Sequence, residues 1–80
     1  MNNIYLLQFL HYGHYDLYTI GAYSSIENIL QIDTEKEFNL SDGEYRIVGF
    51  KINSAQAKTI KTKTVWSNGK TEVWKDKVVD

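Results

Sequence analysis

Three groups of side chains in this 80-residue sequence have types and spacing that could do chemistry. His11, His14 and Asp16 put two imidazoles and a carboxylate within six residues, a donor set that suits zinc or another transition metal. Closed metal sites need more ligands than a turn of this kind assures, and the simpler expectation is a cross-strand His11–Asp16 contact beside a turn histidine, with no metal bound. Asp33, Glu35, Glu37, Asp42 and Glu44 form an acidic cluster. Glycosidase chemistry would need two of these carboxylates to flank a cleft, whereas a turn-rich stretch leaves them solvated on a surface. Lys58, Lys61, Lys63, Lys70, Lys75 and Lys77 surround Trp66 and Trp74. Lysines neutralise phosphate and indole rings stack on bases, so this set could bind single-stranded nucleic acid.

Catalytic apparatus is not legible. Ser24 and Ser25 read as helix-cap residues and Ser67 as a turn residue, with no nucleophile elbow or oxyanion glycine run. Neither GxxxxGK[ST] nor GxGxxG occurs, so nothing cradles a phosphate. The chain has no cysteine, which removes disulfides, thiolate metal sites and thiol nucleophiles together. The expectation is a protein that is not an enzyme and uses no cofactor.

The elements that must carry these residues follow from the hydropathy pattern. Residues 4–12 (IYLLQFLHY) and 16–23 (DLYTIGAY) read as two strands joined at Gly13-His14, where glycine suits a type II′ turn. That register sets His11 opposite Asp16, Phe9 opposite Tyr18 and Leu7 opposite Ile20. Leu7, Phe9, Tyr18 and Ile20 share one face, and Ile4, Leu6, Leu10 and Leu17 the other. A single short helix covers only one apolar face, so a second copy of the chain is a candidate cover for the other. Tyr5, Tyr12, Tyr15, Tyr18 and Tyr23 crowd the same hairpin and offer contact area with a polar tip.

Ser24-Ser25-Ile26-Glu27 has the form of a capping box, with Ser24 as cap and a helix over roughly residues 25–32. Residues 33–44 read as an acidic loop pinned by Phe38 and Leu40. Tyr45–Ile52 reads as a central strand and Asn53–Gln56 as a break. Residues 58–66 and 71–78 form a hairpin around Asn68-Gly69, a pair that favours a type I′ turn. That register pairs Trp66 with Thr71, Val65 with Glu72, Thr64 with Val73, Lys63 with Trp74 and Lys61 with Asp76. It lays Lys63 across Trp74 as a cation–π pair, leaves Trp74, Val65, Lys61 and Lys63 on a face open to a partner, and sends Trp66 toward the core. The fold class is α+β, a small mostly antiparallel sheet with one short helix in the order ββαβββ, as a single domain over residues 1–80.

Composition bounds the rest. Apolar types make up 42% of the chain, enough for one core, and the net charge is −1. The charge is unevenly placed: residues 1–44 hold one cation against seven anions, residues 45–80 eight cations against three. No signal peptide or membrane span is legible, and a cytoplasmic location is the expectation.

The run IYLLQF (4–9), the GHYD turn (13–16), IGAYSSIEN (20–28) and YRIVGFKIN (45–53) resemble a family of small uncharacterised domains from phages and Gram-positive bacteria. The resemblance covers roughly residues 4–53, and its most specific part is the Ile-Gly-aromatic-Ser-Ser-x-Glu stretch. Members usually carry a small residue after that glutamate, where this chain has Asn28 and Ile29. The family brings no catalytic residues. The resemblance implies a phage-type accessory protein, such as an anti-CRISPR or other anti-defence inhibitor, that binds a bacterial host protein or ribonucleoprotein. On that reading Asp33, Glu35, Glu37, Asp42 and Glu44 form the partner surface. The alternative is a single-stranded nucleic-acid binder using Lys61, Lys63, Trp66, Lys70, Trp74 and Lys75.

Overall fold

A computed structural model of the chain describes residues 3–51 and 56–77. The ends of the third strand and of the last hairpin expected above, and most of the break between residues 53 and 56, lie outside the described residues. Strands β1 (Asn3–His11), β2 (Asp16–Tyr23), β3 (Gly43–Lys51), β4 (Lys58–Val65) and β5 (Lys75–Asp76) form one antiparallel sheet in the order β2-β1-β3-β4-β5. Helices α1 (Ile26–Leu30) and α2 (Thr34–Phe38) fill the connection from β2 to β3. The domain is α+β, as the patterning indicates, but the order is ββααβββ: a second helix stands where a loop is expected.

Strand alternation decides what is buried. Phe9 lies opposite Tyr45 and Leu7 opposite Ile47 on one face, with Lys63 and Val65 continuing it on β4. Leu7, Phe9, Tyr45, Ile47, Val65 and Ile29 of α1 form the core, which gains roughly 1.5–3 kcal/mol per fully buried large apolar side chain. The Phe9 and Tyr45 rings meet edge to face at 4.9 Å. Ile26, Ile32, Phe38 and Leu40 close over this face. Ile4, Leu6 and Leu10 point the other way, half-buried beside exposed Leu17.

Both turns differ from the sequence reading. In the first hairpin His11–Asp16 and Phe9–Tyr18 pair as expected, but the loop spans residues 12–15 and the positive φ belongs to Tyr15 (55°), not Gly13. Beyond Phe9 the register slips, so that Leu7 faces Gly21 and Ile20 becomes the extra residue of a bulge. In the second hairpin Lys61 faces Asp76 as expected, while Val65 faces Thr71. Three residues, Ser67-Asn68-Gly69, make the turn. Gly69 N–H donates to the Trp66 carbonyl and Trp66 N–H to the Lys70 carbonyl, each at 2.9 Å. Gly69 alone takes a positive φ (88°), the left-handed position that ends a type I turn in a three-residue loop. A type I′ turn would need positive φ at Asn68 as well. The odd loop length displaces the pairs expected near the turn, and β5 shortens to two residues.

The helices start on polar caps. Ser25, not Ser24, caps α1, its Oγ accepting from Asn28 N–H at 3.3 Å. Asp33 Oδ1 accepts from Lys36 N–H at 3.3 Å and caps α2, which Asn39 closes in the left-handed conformation (φ 50°). Helices of five residues do not persist alone, so packing on the sheet holds both.

Candidate functional site

Helix α2 is tied down along its inner side. Thr34 is buried; its Oγ1 accepts from Lys63 Nζ at 2.5 Å and its carbonyl accepts from the Tyr45 hydroxyl at 3.4 Å. The Phe38 ring lies 6.2 Å from the Tyr45 ring. Lys63 is only 9% exposed and carries its ammonium 4.9 Å from the Trp74 centroid and 5.5 Å from the Tyr45 centroid. Loss of hydration lowers the Lys63 pKa below that of an ordinary lysine, against the opposing pull of Glu35 and Asp33. Burial pushes the Tyr45 hydroxyl up, against hydrogen bonds at Leu40 and Thr34.

The outer side of the same helix presents Asp33, Glu35 and Glu37, all exposed. Two hollows flank it. On one side an open groove of about 650 Å³ is lined by Tyr23, Ile32 and Phe38 together with Asp33, Lys36 and Glu37. On the other a hollow of about 240 Å³, lined by Glu35, Asn39, Ser41, Asn68 and Thr71 among others, separates α2 from the β4–β5 turn. The first pairs an apolar and aromatic wall with two carboxylates. That combination accepts the aliphatic stem and cationic head of lysine or arginine.

The five acidic residues singled out in the sequence do not make one surface. Asp33, Glu35 and Glu37 gather on α2. Asp42 is half-buried with φ 60°, at the point where its carbonyl accepts from Tyr12 N–H at 2.9 Å. Glu44 faces away from the helices, opposite Leu10 and Thr64, and pairs with Arg46 at 3.2 Å.

The basic residues are also divided. Lys63 and Trp74 are parts of the packed face: the face of Trp74, Val65, Lys61 and Lys63 expected to stand open is the one that the helices and Tyr45 cover. The Lys63–Trp74 cation–π contact is present as expected. Lys61 pairs with Asp76 at 2.5 Å and Lys75 with Glu72 at 3.1 Å. Glu72 also accepts from Trp66 Nε1 at 3.0 Å, and the bonds from Lys75 and Trp66 hold its carboxyl below the usual range. Trp66, expected in the core, is 48% exposed, because the three-residue loop turns its ring outward at the hairpin end. Trp66 and Lys70 are left exposed together at that turn.

The His11 and His14 rings stack at 4.9 Å, and His11 Nδ1 is buried without a hydrogen-bond partner. Among the described residues no three His, Cys, Asp or Glu side chains converge as a metal would need. Also among them, no helix is long and apolar enough to cross a membrane. Sequence reasoning missed the Lys63–Thr34–Tyr45 anchor. Its signal was the parity that puts Lys63 on the same face as Val65 and Trp74. Comparison with protein-family models, with curated proteins and with solved structures finds no match.

Proposed function

We propose that the chain is a non-enzymatic binding module that seats basic side chains of a macromolecular partner along α2 and, by covering a nucleic-acid-facing surface, inhibits that partner. The observation that carries the reading is the groove beside α2, where Tyr23, Ile32 and Phe38 line the same space as Asp33 and Glu37. Desolvated aromatic and aliphatic contacts anchor a partner, while carboxylates at the rim of such a groove select for cations and speed encounter. The buried Lys63–Thr34 bond fixes the helix beforehand, so little ordering entropy is lost when a partner docks. The further proposal that residues 4–53 are related to small phage and bacterial domains would make the partner a bacterial one, such as a CRISPR-associated or other defence nuclease.

The alternative of a single-stranded nucleic-acid platform has less support, since Lys61 and Lys75 are paired with carboxylates and Lys63 and Trp74 are packed inward. Titration of the ¹⁵N-labelled protein with an arginine-rich peptide separates the two. The binding-module reading expects salt-sensitive shifts at Tyr23 and residues 32–38. Shifts confined to Trp66 and Lys70 on adding an oligonucleotide, with none along α2 on adding the peptide, would favour the alternative.

A further inference from the structure

β2 is an edge strand with nothing paired to its outer side among the described residues, and its first four residues are all exposed. Tyr15 (81%), Leu17 (49%) and Tyr18 (49%) form an apolar tip along that edge. Soluble proteins guard such edges with lysine, proline or inward-pointing charge. β2 carries none of these, and its one charge is Asp16. The bulge at Ile20 is the one guard, and it acts only past Thr19.

We propose that two copies of the chain pair antiparallel through residues 16–18 of β2, joining their sheets across a two-fold axis perpendicular to the sheet. Such an axis keeps equivalent faces together, so residues of the same face must lie opposite one another. Centred on Leu17, this register sets Leu17 against its symmetry mate and Asp16 against Tyr18 of the other copy. Asp16 and the Tyr18 hydroxyl already meet within one chain at 3.5 Å, so their chemistry is complementary on that face. The same register keeps the two Asp16 carboxylates apart, and a chain of net charge −1 meets little overall repulsion from a copy of itself. The segment is short, and contacts below about 1,200 Å² belong to weak, reversible association. The dimer is therefore concentration-dependent.

The absence of cysteine makes the test clean, because a single introduced thiol can form a disulfide only between copies. Sedimentation of the wild type is expected to rise from the 9.3 kDa of one chain toward twice that mass as concentration approaches about 0.5 mM, the range that weak contacts of this size require. Leu17→Lys, which opposes two ammonium groups at the axis, returns it to one chain with unchanged circular dichroism. Leu17→Cys oxidises to a covalent dimer at least about tenfold faster than Asn68→Cys at the far hairpin, a preference of the size that positioning reacting groups confers. A wild type that stays at one chain throughout overturns the proposal, whether or not a foreign strand occupies the edge. So does a Leu17→Lys variant that remains dimeric, or equal oxidation of the two cysteine variants.

Discussion

Lys63 is the residue on which the local energetics turn. An ammonium group taken out of water costs several kcal/mol unless its donors are satisfied, and Thr34 Oγ1 with the two ring faces supplies that satisfaction. Thr34→Val leaves the ammonium buried without its acceptor, and we expect a loss of about 1–3 kcal/mol in urea unfolding. Lys63→Met combined with Thr34→Val restores most of it; a double variant as unstable as the sum of the singles contradicts the anchor. The pH dependence has a defined sign. Because the folded pKa of Lys63 is lowered, the unfolded chain holds that proton more tightly, and stability rises as pH climbs from the folded value toward 10.5. The folded pKa of Tyr45 is raised above 10.0, so its contribution is whole below that pH and is lost as pH rises through the folded value. Wild type should therefore gain urea resistance over the alkaline approach to pH 10 and lose it beyond, and Lys63→Met should lack the gain. At Gly43 the limit is steric. A Cβ there would meet the Leu10 carbonyl oxygen and approach the Phe9 ring to 2.5 Å, so Gly43→Ala should cost about 3 kcal/mol or more.

At the scale of elements, caps and turns separate what the sequence discloses from what it hides. Residues 4–12 are a near-continuous apolar and aromatic run, residues 58–65 are rich in β-branched types, and the strands and the His11–Asp16 and Lys61–Asp76 pairs follow from these runs together with the turn residues between them. Ser24 and Ser25 are both good caps, and which one serves depends on where β2 releases the chain after its bulge. The helix α2 is hidden because its acidic run has no apolar stripe, although Asp33 as cap and Asn39 as left-handed stop bracket it. Asn68-Gly69 reads as a two-residue turn unless the outward course of Trp66 is known. Cap substitutions test this directly: Ser25→Ala and Asp33→Ala should each cost about 1 kcal/mol, and Ser24→Ala close to nothing. A larger effect at Ser24 than at Ser25 would reverse the assignment.

At the scale of the molecule, the sheet brings the acidic and basic halves of the chain together. Basic β4 runs under acidic α2, with Lys63 close enough to feel Asp33 and Glu35, and Glu44 from one half pairs with Arg46 from the other. The charge asymmetry that the sequence displays is thereby divided into small neutralised pairs, leaving the outer side of α2 as its concentrated acidic remnant. No linear reading of the charges foretells this, since strand parity alone sends Glu44 to the far face while Asp33, Glu35 and Glu37 stay together. The α2 groove is the centre of the functional account, and its most direct test is capture from a nuclease-treated bacterial lysate on immobilised wild type and on an Asp33→Asn, Glu37→Gln variant, which removes both groove carboxylates and keeps a capping side chain at residue 33, with unchanged circular dichroism. The account predicts a protein retained by the wild type after nuclease treatment and held at least about tenfold less by the variant, as the loss of two charge-assisted contacts implies. Equal retention by both, or capture that disappears when nucleic acid is digested, would contradict it.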